Sequence, residues 1–101
     1  MDIAWSKGNV PVRLPAERWL HITEEHSEMA GYYHEVLETV EEPESIYRGR
    51  KGEYIAVREI GYGKHIVAIY RELSKDDGFV ITAFLTRRKE EFERRERVWP
   101  R

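Results

Sequence analysis

A chain of 101 residues with 17 basic and 19 acidic side chains has a formal charge of −2 and the length of one domain. It contains no cysteine, which excludes disulfides, thiolate zinc sites, iron–sulfur clusters and thiol nucleophiles. No apolar run exceeds a few residues, so neither a secretory leader nor a membrane-spanning helix is expected, and a cytoplasmic setting is compatible. The small net charge conceals an asymmetry. Residues 1–47 carry three basic and ten acidic side chains, whereas residues 48–101 carry fourteen basic and nine acidic. A cationic second half is the place to look for a polyanion site, although a solvated surface of mixed sign explains the same counts.

In chain order, the first nine residues read as an irregular arm with Trp5 as its anchor. Val10, Val12 and Leu14 alternate with Pro11 and Arg13, which predicts a short edge strand, because proline is tolerated at an edge. Pro15 suits a first helical turn, and Trp19, Leu20 and Ile22 form a stripe ending near His26 and Ser27. A second helix is expected from Ser27 to the stop at Pro43, with Met29, Tyr32, Tyr33, Val36, Leu37 and Val40 at three- and four-residue steps. Its wet side holds Glu35, Glu38, Glu41 and Glu42.

After Pro43 the period changes from about 3.6 to 2. Strands are expected over about 45–49, 53–60, 65–73 and 79–86, joined by short glycine-bearing turns, which makes an antiparallel meander. The charged stretch 87–98, with Phe92 as its main apolar residue, reads as a last helix ended by Pro100. The whole is an α+β fold: two N-terminal helices, a four-stranded antiparallel meander and a C-terminal helix, in one domain over 1–101.

Helices covering one face of such a sheet leave the other open. Matching the apolar rows of the strands places Tyr54, Arg58, Tyr70, Thr82 and Thr86 together on the less buried face, with Phe79, Ile81, Ala83 and Leu85 in a continuous row on the buried one. One cation, two phenols and two hydroxyls are suited to gripping a phosphate and stacking a base. Threonine and tyrosine are also ordinary strand residues. Arg71 falls on the apolar row, at a strand end.

His21 and His26 diverge by about 140° on a regular helix, so they form no zinc pair, and no metal site is expected. His26, near a helix end, can aim across a sheet edge and move protons near neutral pH, or it can cap helix carbonyls. His34 and His65 have weaker cases. Arg48, Arg50 and Lys51 bracket the first hairpin, and Arg87, Arg88 and Lys89 follow the last strand. Such a cationic rim can steer RNA and stabilise charge building on phosphorus. Lys51 can bind phosphate and, when desolvated, transfer a proton.

Three stretches carry a family likeness. They are Arg18-Trp19-Leu20-His21-Ile22 through His26-Ser27-Glu28-Met29, then Val36-Leu37-Glu38-Thr39-Val40-Glu41-Glu42-Pro43, then Tyr70-Arg71 with Val80-Ile81-Thr82-Ala83-Phe84-Leu85-Thr86. Together, over about residues 12–88, the chain resembles the phage-type barnase/EndoU/colicin/RelE-like nuclease domains and is similar to RelE and BrnT toxins. The resemblance implies a metal-independent ribonuclease needing no cofactor, in which a ribose 2′-hydroxyl attacks the adjacent phosphate. It implies catalytic roles for His26, Lys51 (or Arg48), Arg71 and Thr82. Arg48, Tyr54, Arg58, Tyr70 and Thr86 are then the expected RNA contacts. The expected partners are RNA, such as ribosome-bound mRNA or tRNA, and an antitoxin protein, with no membrane. A non-catalytic interaction module, or a homodimer through the open face, is the alternative from another class.

Overall fold

The computed structural model describes residues 2–101. Two short strands, β1 (Asp2–Trp5) and β2 (Pro11–Leu14), open the fold as an antiparallel hairpin, and Asn9 takes a positive φ of 62° in the turn between them. Helix α1 (Ala16–Glu25) follows directly on Pro15 and buries Ile22. A 3-10 turn over Ser27–Met29 anchors itself through buried Met29, and helix α2 (Tyr33–Glu41) buries Val36, Leu37 and Val40. The helix expected from Ser27 is thus divided. Gly31 sits at φ 91°, in the left-handed region that breaks a right-handed helix, and α2 starts only after it.

Strands β3 (Ser45–Arg48), β4 (Tyr54–Gly61), β5 (Lys64–Ser74) and β6 (Asp77–Thr86) form the antiparallel series, and β7 (Arg97–Trp99) adds to the outer edge of β3. Gly61, Tyr62 and Gly63 all take positive φ in the β4–β5 turn. Among the described residues the sheet has seven strands in the order β1-β2-β6-β5-β4-β3-β7. It is mixed, because β2 runs parallel to β6 through Val12 opposite Gly78 and Arg13 opposite Phe79.

The α+β class stands, but the expected arrangement of two N-terminal helices, a four-stranded meander and a C-terminal helix is corrected by this sheet. A hairpin precedes the helices, and the strand expected at an edge is interior, between β1 and β6. Pro11 is accommodated at its first position, where β6 does not pair. The tail 87–98 contains a 3-10 turn over Lys89–Glu91 and then β7 rather than an α-helix. Its apolar residues, Phe92 and Val98, are too few for a helical stripe, and the free edge of β3 offers backbone partners to an extended segment, which β7 takes.

Gly78 holds the parallel crossing together. A Cβ at this position would stand 2.7 Å from the backbone carbonyl of Arg71 and 3.4 Å from both Val10 and Val12 side chains. The carbonyl belongs to the sheet and cannot swing away. Gly78→Ala is therefore expected to lower stability by about 1–3 kcal/mol, the usual cost of overpacking, measured as a lower urea midpoint.

Both sheet faces are covered in part, and this decides where side chains go. On the helix face Ala56, Ile66, Ala68, Tyr70, Val80 and Ala83 join Val12, Leu14, Ile22, Met29, Val36 and Val40 in the main core. On the opposite face a second cluster of Tyr47, Ile55, Val57 and Val67 lies under Phe92 from the C-terminal segment, with Ile69 and Phe84 beside it. Runs such as Ile55-Ala56-Val57 and Ile66-Val67-Ala68-Ile69 are apolar on both sides, as expected of a strand with two covered faces. A bulge adds a second complication. Ile69 pairs with Thr82 and Tyr70 with Val80, so Ile81 is the extra residue. The row Phe79, Ile81, Ala83, Leu85 is consequently broken: Phe79 pairs with Arg71 on the far face, whereas Ala83 and Leu85 face the helices.

The five residues expected on one open face are therefore separated. Tyr54, Arg58 and Tyr70 lie on the helix face, in register with Tyr70, Ile66 and Tyr54. Thr82 and Thr86 lie on the other, opposite Ile69 and His65. Among the described residues, no helix is long and apolar enough to cross a membrane.

Candidate functional site

Away from the Phe92 cover, the far face of β5 and β6 is half-buried and chemically mixed. Along β6 it presents Phe79, Thr82, Phe84 and Thr86, and along β5 Ile69 and Arg71, all intermediate in exposure. The edge of β6 beyond Phe79 is not taken by β2, and α1 with the following 3-10 turn packs there instead. This brings the end of α1 onto the far face. His26 closes the helix by donating its backbone N–H to the Ile22 carbonyl at 2.7 Å, and its ring lies 5.6 Å from that of Phe84. Its Nδ1 stands 3.7 Å from a Glu28 carboxylate oxygen, and about a third of the side chain remains exposed, at 35%. The imidazole is thus held by an aromatic floor and reachable by a ligand, and only the backbone of His26, not its ring, caps the helix.

Arg71 occupies the same face at the other end of the patch. Its Nη1 donates to the Lys51 carbonyl at 3.0 Å, which ties the β3–β4 hairpin to β5. Within that hairpin the Lys51 N–H donates to Glu53 Oε1 at 2.8 Å, and Gly52 turns the chain at φ 85°. Glu53 is a residue that patterning of strands and helices passed over. Its carboxyl is held below the usual range, first by its own backbone N–H and also by that of Lys51, with Arg71 and Arg95 adding favourable charge. The signal for it is local: Gly49-Arg50-Lys51-Gly52-Glu53 is a tight turn in which an acid follows two cations.

Of the expected catalytic set, His26, Arg71 and Thr82 fall on this face, and Lys51 belongs to the hairpin fastened to it through its carbonyl. The expected RNA contacts divide. Thr86 is on the same face, where its hydroxyl accepts the Arg88 N–H at 3.0 Å. Arg48, Tyr54 and Tyr70 cluster on the helix face, with the two tyrosine rings stacked at 5.5 Å and the Arg48 guanidinium 5.0 Å over Tyr54. Arg58 is on that face too, donating to the Glu42 carbonyl and lying 3.3 Å from Glu38. It serves as a brace between β4 and the end of α2.

The other histidines are elsewhere. His21 and His34 are exposed on the helices. His65 is buried on the far face, its Nδ1 3.0 Å from the Gly63 carbonyl, and its Nε2 has no hydrogen-bond partner among the described residues.

Apolar groups extend the patch. Ile3 and Trp5 of β1 are 49% and 52% exposed, and Leu73 of β5 is 55% exposed. Ile3 pairs with Arg13, which itself pairs with Phe79, so Ile3, and Trp5 two residues on, continue the far face toward β1. The arrangement offers an imidazole, a hydroxyl and a guanidinium on an apolar, partly dry floor, a combination able to move a proton beside a bound anion. Comparison with protein-family models, curated proteins and solved structures found no match for this chain.

Proposed function

We propose that the chain is a metal-independent ribonuclease of the toxin type, acting on cytoplasmic RNA through attack of a ribose 2′-hydroxyl on the adjacent phosphate. The observation that supports this reading best is the reach of His26 over the free edge of β6 onto Phe84, on the face that carries Thr82 and Arg71. In this mechanism His26 takes the 2′-hydroxyl proton and returns a proton to the leaving 5′-oxygen. Arg71 and the Lys51 ammonium oppose the charge that builds on the phosphoryl oxygens, and Thr82 donates a hydrogen bond to one of them. Phe84 and Ile69 keep water from the floor and strengthen those electrostatic contacts.

The exposed Ile3, Trp5 and Leu73 favour a second reading, in which the same face receives a partner segment such as an antitoxin. One experiment separates the two. Micromolar protein is incubated in EDTA with structured RNA and with translating ribosomes, and the products are resolved by length and end group. The ribonuclease reading expects discrete fragments ending in 2′,3′-cyclic phosphate. Intact RNA in both incubations would leave the interaction module as the better account.

A further inference from the structure

A cavity of about 240 Å³ opens on the helix face, at the end of the sheet farthest from the β4–β5 turn. Its cations are Lys7 from the β1–β2 turn, Arg48 from the end of β3 and Arg101 beyond β7. Its aromatic walls are Tyr54, Tyr70 and Trp99. The aromatic rings hold the cations in place, with Lys7 Nζ 4.9 Å from the Trp99 ring centre and the Arg48 guanidinium 5.0 Å from that of Tyr54. A cation resting on a ring keeps its full charge.

We propose that this cavity binds a compact phosphate monoester, gripped by Lys7, Arg48 and Arg101 and by the hydroxyl of Tyr70. Four observations lead to that chemistry. Three cationic side chains line the cavity against one carboxylate, Glu72, which leaves an excess of two positive charges. A monoester carries about −1.5 to −2 at neutral pH, whereas a diester carries about −1, so the monoester is the better match. Glu72 is turned to the β1–β2 hairpin, accepting from Ser6 Oγ at 2.6 Å. The remaining acids near the rim, Glu42 at 3.5 Å from Lys7 and Glu96 at 3.9 Å from Arg48, are 64% and 72% exposed, and pairs of that kind are weak in water.

Tyr70 supplies the fourth observation. The residue is only 1% exposed yet lines the cavity. Burial, with Glu72 and Tyr54 beside it, pushes its phenol above the ordinary tyrosine range, so it remains a hydrogen-bond donor through neutral pH. Size sets the limit on the rest of the ligand. The stacked Tyr54–Tyr70 pair and the cation-covered faces of Tyr54 and Trp99 leave little ring surface for a base, and the volume falls below the roughly 300 Å³ at which sites for larger ligands begin. A phosphate bearing a sugar-sized group fits. The site is on the opposite sheet face from Thr82 and does not depend on RNA cleavage.

Calorimetric titration at low salt tests it with ribose 5-phosphate, ribose and dimethyl phosphate. Ribose 5-phosphate is expected to bind about tenfold or more tightly than dimethyl phosphate, and ribose not at all. Arg48→Gln, Lys7→Gln and Tyr70→Phe should each weaken ribose 5-phosphate by about tenfold, whereas Lys64→Gln, at the far end of β5, should not. A 2′-O-methyl hexanucleotide with a 5′-phosphate identifies the source. Binding tighter than ribose 5-phosphate, and lost with a 5′-hydroxyl, assigns the site to a nucleic-acid end; equal or weaker binding assigns it to a free small monoester. The proposal is overturned if dimethyl phosphate equals ribose 5-phosphate, if no saturation occurs below roughly 10 mM, or if the three variants, folded by their melting temperatures, bind as the parent does.

Discussion

Replacing His26 by alanine should lower RNA cleavage by about 10²–10⁴-fold, the range that a positioned acid–base group supplies, while leaving the fold in place. The side chain is partly exposed and packs on Phe84 at the margin of the sheet, so its removal is expected to change stability by less than about 1 kcal/mol. The loss should appear in kcat rather than KM, since in the proposed mechanism Arg71, Lys51 and Thr82 hold the RNA and the imidazole does not. Single-turnover cleavage in EDTA measures it. A His26→Ala protein that cuts RNA at the parental rate would remove the imidazole from the mechanism.

The second large effect is structural. Phe92 is the one aromatic side chain of the C-terminal segment packed into the second cluster, over Tyr47, Ile55, Val57 and Val67. Phe92→Ala should cost about 3 kcal/mol, at the low end for a buried phenylalanine because the segment 87–96 can partly collapse into the space. For a chain of this size that corresponds to a fall in Tm of roughly 12–24 °C. Thermal unfolding followed by circular dichroism is the check. A fall of a few degrees or less would mean that the far face does not need its C-terminal cover, and that the second cluster is held by the strands alone.

The sequence made the local structure legible where short-range chemistry decides it. The α2 stripe of Val36, Leu37 and Val40, the stop at Pro43 and the glycine-bearing turn at 61–63 can each be read from a few neighbouring residues. What it hid depends on partners distant in the chain. β2 looks like an edge strand until β6, more than sixty residues later, pairs beside it at Gly78. The tail from Arg87 looks like a helix until the open edge of β3 is in view to receive β7.

The candidate site was legible in its residues and not in its faces. His26, Arg71 and Thr82 can be chosen from residue type and position, but their grouping needs the register: Thr82 pairs with Ile69, which shares a face of β5 with Arg71, and the bulge at Ile81 brings Phe79 to that side as well. Alternation assigned β4 and β5 to the wrong faces because small Ala56 and Ala68 lie under the helices while large Ile55, Val57 and Val67 lie under Phe92. Apolarity alone does not tell two covered faces apart. The same error joined Tyr54 and Tyr70 to Thr82 and Thr86 on one face, when with Arg48 they wall a cavity on the other.

In the proposed function, RNA meets this protein on the face of β5 and β6 beside His26. Backbone amide shifts recorded during titration with a 5′-hydroxyl, 2′-O-methyl RNA oligonucleotide test it directly, because this ligand cannot be cleaved and lacks the terminal phosphate that the other cavity would take. The expected result is a continuous set of shifts at His26, Ile69, Arg71, Thr82 and Phe84 and in the Lys51 hairpin. Shifts confined to α1, α2 and the Tyr54–Tyr70 cavity, or none at saturating RNA, would contradict it.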